Sequence, residues 1–154
     1  MLKIQKGPMF SGRYDLLKMG QKVGTLRRGF WGREAICHLD TGSLRMEQSG
    51  FWISKYLLLN GNRELLRAEV VPFSNRVGFT FENGYYELMP KGWFNGDFKI
   101  ERGPHLIGSI SAYGFFHRSA EVELPDSFPV MLQVFLGWTA LCRWADAASA
   151  SHST

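Results

Sequence analysis

The sequence has little of what builds a familiar active site. No G-x-S-x-G elbow occurs, so the common serine-hydrolase signal is missing, and the glycines fit neither the Walker nor the Rossmann phosphate pattern. The four histidines, His38, His105, His117 and His152, share no metal-ligand spacing with the cysteines or with nearby carboxylates. Cys37 and His38 are adjacent, so on a strand they point to opposite faces and a shared metal is not expected. A Cys/His nucleophilic pair stays open, with nothing in the sequence favouring it. Glu121 and Glu123 stand two apart and read as exposed acids on the wet face of a strand rather than as an acid–base pair. No catalytic residue, metal or cofactor is expected.

Cysteine is scarce too. Cys37 and Cys142 both lie in apolar settings, and nothing else points to secretion. Two buried reduced thiols are expected, with a disulfide as the alternative. The first twelve residues are too polar for a signal peptide. A cytoplasmic location, peripheral at a membrane, is the expectation.

What the chain does have is apolar bulk. With 154 residues, 45% of them apolar and 14% aromatic, it can bury one ordinary core. Turn signals punctuate it often: Met19-Gly20, Asp40-Thr41-Gly42, Asn60-Gly61-Asn62, Asn83-Gly84, Asn95-Gly96-Asp97 and Arg102-Gly103-Pro104. Asn83-Gly84 is the strongest, and predicts a type I′ hairpin joining Val77–Glu82 to Tyr85–Met89. Between turns the apolar period is two, as in Leu66, Ala68, Val70 and in Ala120, Val122, Leu124. That alternation marks an antiparallel sheet with one wet face. About eleven or twelve such runs precede residue 125, enough for a sandwich or a closed barrel.

A weak repeat runs through these strands. Gly29-Phe30-Trp31 recurs as Gly50-Phe51-Trp52, and later as Gly92-Trp93-Phe94 and Gly114-Phe115-Phe116. Each marks the same corner of successive hairpins, where aromatics seal the core or, on a sharper reading, gather around a ligand.

The pattern then changes. No charge occurs from Ser127 to Cys142, and apolar residues from Val130 to Trp144 fall all around a helical wheel. Asp126 or Ser127 is expected to cap this helix, with Pro129 in its first turn. A helix apolar on every side must be surrounded by protein or by lipid. Sixteen residues span about 24 Å, short of the roughly 30 Å of a bilayer core. An enclosing barrel suits the length better than a membrane span.

The order of many antiparallel strands, then Leu124-Pro125-Asp126-Ser127-Phe128-Pro129 leading into Val130–Trp144, resembles the tubby C-terminal-like superfamily. Its members include the tubby proteins, the phospholipid scramblases and the plant LURP-one-related proteins, and this chain looks most like a small bacterial relative. The likeness covers about residues 2–145. It implies a closed antiparallel β-barrel of about 12 short strands around one hydrophobic C-terminal α-helix. The expected organisation is a single domain over 1–146, with the central helix at about 127–145 and a disordered tail over 147–154. The scramblase calcium-binding pattern is absent, and the tubby phosphoinositide-binding residues have no residue-by-residue counterparts.

Charge supplies the one functional pointer. Net charge is +4, but residues 1–76 hold 13 Lys/Arg against 6 Asp/Glu, a balance of +7, while residues 77–154 hold 5 against 8, a balance of −3. Lys22, Arg27, Arg28 and Arg33 crowd into twelve residues around the Gly29-Phe30-Trp31 corner. Arginine forks bind phosphate oxygens, and Trp31 beside them suits a membrane interface. The plainer reading is a solvated hairpin. The expected function is a non-enzymatic binding module contacting anionic phospholipid headgroups or an acidic protein surface, with nucleic acid a weaker candidate. One alternative is a membrane-associated protein whose C-terminal helix inserts as a tail anchor or in a scramblase-like way. A second is an enzyme or small-ligand carrier with a site at the barrel rim.

Overall fold

The computed structural model describes the chain except residues 9–10, 30–32, 51–52, 93–95, 115–118 and 153–154, and except the side chains of 149–152. Twelve strands and one helix follow in order: β1 (Leu2–Lys6), β2 (Arg13–Lys18), β3 (Gln21–Arg28), β4 (Glu34–Leu39), β5 (Gly42–Ser49), β6 (Lys55–Asn60), β7 (Arg63–Val70), β8 (Val77–Phe81), β9 (Gly84–Pro90), β10 (Phe98–Arg102), β11 (His105–Tyr113), β12 (Ser119–Glu123) and α1 (Val130–His152). Each strand pairs antiparallel with its neighbours in sequence, and β1 pairs with β12, so the sheet is a closed barrel. The expected fold is the observed one.

Size explains why the helix belongs inside. Twelve strands about 4.8 Å apart, tilted by about 40°, enclose a cylinder roughly 24 Å across between backbones. Side chains from the wall leave a lumen of about 12 Å, the width of one α-helix. Residues 132–142 of α1 are all buried. Trp138 and Phe135 are fully enclosed, and Trp138 meets Tyr56 of β6 edge to face at 5.9 Å. Two polar side chains that enter the lumen are satisfied locally, Gln133 Nε2 donating to the Phe128 carbonyl and Thr139 Oγ1 to the Phe135 carbonyl, each at 2.9 Å, whereas the Trp138 indole N–H is buried with no hydrogen-bond partner among the described residues.

Gly137 sets how close the helix comes to the wall. A Cβ there would run into the Ile4 side chain of β1 and lie 2.9 Å from Cγ2 of Val122 of β12. The helix therefore lies against the seam where first and last strands meet.

The two ends of the barrel differ. At one end, which we call the turn end, two-residue turns join β2–β3, β4–β5, β6–β7, β8–β9 and β10–β11, and the helix enters through 124–129. At the other, the loop end, longer connections join the remaining pairs and the helix leaves. Gly29, Gly50, Gly92 and Gly114 all stand at this loop end, as the corner reading requires; the aromatic pairs that follow them lie outside the described residues.

Four local expectations are corrected. The β8–β9 turn is centred on Glu82 and Asn83, with φ of 47° and 64°, one residue before the predicted centre. Gly84 is instead the first residue of β9, where a Cβ would press at about 3 Å on the Tyr86 ring and the Arg102 guanidinium. The helix starts at Val130, so Pro129 stands just outside it, its carbonyl accepting from Leu132 and Gln133 N–H. Asp126 does not cap the helix but pairs with Lys18 at 3.5 Å. The helix also runs on to His152, so the expected frayed tail from Ala147 continues it to that residue, as an Ala-rich segment can.

Two substitutions test this packing. Trp138→Ala empties the centre of the lumen and should lower unfolding free energy in urea by about 3–5 kcal/mol, while Met19→Ala, on an exposed turn, should change it by less than about 0.5 kcal/mol. Gly137→Leu should cost about 3 kcal/mol by overpacking against the seam, although leucine is the better helix former.

Candidate functional site

The residues of the predicted basic cluster do not form one patch. They lie along and beyond β3, and a strand rises about 3.3 Å per residue. Lys22 therefore sits at the turn end, where Nζ meets Asp15 Oδ1 at 3.3 Å, and Arg28 at the loop end, roughly 20 Å away. Alternation separates Arg27 from Arg28. Arg27 is exposed on the outer wall, whereas Arg28 shares the inward face with Leu26. Arg33 is exposed in the β3–β4 connection, and Trp31 lies outside the described residues.

Arg28 belongs to the plug that closes the loop end around the departing helix. Burial works against its charge, but the neighbouring Cys142, Tyr14 and Asp146 outweigh that and raise its pKa. Beside it Lys6 lies over the Tyr14 ring, 5.0 Å from the centroid, with its pKa lowered by desolvation and by repulsion from Arg28. Gln48 Nε2 donates to Asp146 at 2.9 Å, and the Trp144 indole N–H donates to the Gly96 carbonyl while its ring stacks on Phe98. This network ties α1 to β1, β2, β3, β5 and β10. Its side chains are engaged with one another, so it reads as structure rather than as a ligand site.

Chemistry inside the barrel has no support. Burial pushes both the Cys37 and the Cys142 thiols up to about 12, with Arg28 only partly opposing it at Cys142. Both are protonated at neutral pH, a poor state for a nucleophile. They are free, buried thiols, as the apolar settings suggested. His38 faces outward, its Nδ1 within 2.7 Å of Ser43 Oγ, while Cys37 faces inward. Among the described residues no three His, Cys, Asp or Glu side chains gather as a metal site. No described helix is long and apolar enough to cross a membrane.

Charge in the connections instead differs between the ends, although Lys18, Lys22, Arg63 and Arg102 on the flanking strands also put cations at the turn end. Among the described residues, the turn-end connections carry Asp40, Glu82 and Asp126 and no Lys or Arg, while the loop-end connections carry Arg33, Arg76 and Lys91 against one acid, Asp97. Asp97 is turned towards β11, its Oδ1 accepting the Ala112 N–H at 3.1 Å. The wall adds to the loop end's charge. Arg13 and Arg27 face each other across β2–β3, both exposed, and like charges directly opposite destabilise a sheet. Arg13 has Asp15 at 3.7 Å, but no described carboxylate pairs with Arg27, Arg33, Lys55 or Lys91. Sequence reasoning found Arg27 and Arg33 but missed Lys55, Arg76 and Lys91, which only the barrel brings to the same end.

No family model, curated protein or solved structure matches this chain.

The thiols make a pH prediction. Both folded-state pKa values lie above the unfolded value of about 8.5, so their contribution to stability is complete below that pH and is lost as pH rises towards 12. Between pH 7 and pH 10 each should cost about 1–2 kcal/mol of unfolding free energy. Urea titrations at the two pH values measure this, and Cys37→Val should shrink the drop by one thiol's share.

Proposed function

We propose that this protein is a non-enzymatic binding module whose loop end meets an anionic phospholipid surface. The observation that carries the reading is the axial segregation of charge: arginine and lysine in the connections at one end, only carboxylates in those at the other. Connections charged in this way favour the loop end against an anionic membrane, where each basic residue near the surface contributes about 1 kcal/mol. The Arg13–Arg27 pairing supports it further, because an anion placed between the two relieves the repulsion that they otherwise bear.

The filled lumen turns attention to the outside of the protein. With α1 occupying the barrel, the central cavity that a small-ligand carrier would use is taken. The same burial weighs against helix insertion, since withdrawing α1 would expose Leu132, Phe135, Leu136 and Trp138 together with the wall that packs on them.

Co-sedimentation with vesicles tests this. Binding should be strong to phosphatidylcholine vesicles containing about 20% phosphatidylserine, weak to neutral vesicles, and reduced by salt. Arg27→Gln with Arg33→Gln should weaken it roughly tenfold or more, whereas Lys22→Gln at the turn end should leave it within about twofold. Equal binding to neutral and anionic vesicles, or none to either, would sink the lipid reading.

A further inference from the structure

Phe73 breaks two rules at once. It is wholly exposed, at 108% of the reference accessibility, and it holds a φ of 60°. That left-handed region is an outlier for a bulky side chain and is ordinarily left to glycine or asparagine. The turn around it accounts for the geometry. Val71, Pro72, Phe73 and Ser74 form a β-turn in which Ser74 N–H donates to the Val71 carbonyl at 3.2 Å, and Ser74 Oγ donates to the same carbonyl at 2.8 Å. Val71 N–H in turn donates to the Arg76 carbonyl at 2.8 Å, closing the loop at its base. Proline suits the second position of such a turn and glycine the third. Phenylalanine at the third is both strained and pushed out into solvent. Strain held at a surface turn with no packing in return points to a use for the side chain.

Its surroundings indicate the use. Phe73 stands at the loop end, beside a groove of about 720 Å³ lined also by Ile53, Val70, Val71 and Pro72. Ile53 is itself exposed, and Val70 N–H donates to the Ser54 carbonyl at 3.1 Å, which holds the two connections side by side. Cations flank this apolar tip: Lys55 follows Ile53, and Arg76 follows Phe73 by three residues, half-exposed while pairing with Glu87. An apolar point with one lysine, opposite Glu69 in the ladder, and one arginine behind it matches a bilayer surface in sequence of depth, hydrocarbon first and anionic headgroups behind.

We propose that the Val71–Ser74 turn is a membrane wedge: Phe73, with Ile53 beside it, enters the acyl-chain boundary while Lys55 and Arg76 stay with anionic headgroups. This rests on the lipid reading above and adds a depth and an orientation to it.

The two native thiols are buried, so labelling of the folded protein can be confined to one introduced cysteine. Phe73→Cys carrying an environment-sensitive fluorophore is compared with Leu106→Cys, an exposed site in β11 next to the opposite, turn end. On vesicles of phosphatidylcholine and phosphatidylserine, the probe at 73 should brighten severalfold and shift to the blue, and the probe at 106 should not change. Sedimentation of the same samples reports binding independently. Binding without a change at 73, or with equal changes at both sites, overturns the wedge and leaves the lipid reading standing. No binding by the Leu106→Cys protein, which keeps Phe73, overturns both. Phe73→Gly is the companion variant, because glycine fits the φ of 60° and cannot fail through strain. It should keep or raise the urea midpoint while weakening binding to the anionic vesicles about tenfold; unchanged binding would also overturn the proposal.

Discussion

The contact between Gly137 and the β1–β12 seam is the constraint on which the rest of the structure depends. Every other strand pair in the barrel joins neighbours in sequence, so each can form as a hairpin with little loss of chain entropy. The seam alone must bring residues 2–4 to residues 120–122. Its ladder is short, and the register adds one ion pair, Lys3 with Glu121 at 3.7 Å, between half-exposed side chains that contribute little. Ile4 and Val122 become worth holding together because the helix lies across both of them, and only a residue without a side chain lets it come that close. Closure of the wall and burial of α1 are thus one event. An open sheet would leave the helix apolar on all sides in water, and a closed sheet without the helix would enclose a void.

Chain direction then makes the two ends unlike. β12 hands the chain to α1 at the turn end, so the helix must leave at the other, where its last turns need cover. Trp144, Asp146 and Arg28 anchor it there, and the connections of that end are long enough to reach over and around it. Tight turns at the opposite end have room for little beyond the residues that make the bend. Exposed apolar and basic side chains accumulate at the loop end because that is where chain is available to carry them.

The architecture was legible in the sequence, and the reason is physical. Period-two alternation is clear in strands such as β1, β4 and β9, which keep one face dry, and an uncharged sixteen-residue run can be stable only if something surrounds it. The failures were of another kind. Asn83-Gly84 misplaced a turn by one residue because Gly84 is needed for its smallness beneath Arg102 and Tyr86. Lys22, Arg27, Arg28 and Arg33 looked like one patch because they are close in the chain; but a strand separates its ends by many ångströms and alternates its faces, so Lys22 lies at the opposite end and Arg28 on the inward face. Phe73 gave no signal at all, since Pro-Phe is not a turn dipeptide that demands positive φ, and the strain exists only in the folded loop.

A filled barrel narrows what such a protein can do. Most closed barrels of this strand number have an interior to offer, as a channel or a ligand cavity. Here the lumen holds Trp138, Phe135 and Leu136, and the side chains of Gln133 and Thr139 are bonded within the helix or to its lead-in. What differs between the interior and the surroundings therefore cannot be read by a guest. The outer surface remains for recognition, and connections that are acidic at one end and mostly basic at the other distinguish directions as well as partners. A large flat anionic surface would exploit that difference more fully than a small ion would, because it would reach Arg27, Arg33, Lys55 and Lys91 at once, and no described ion pair engages any of the four.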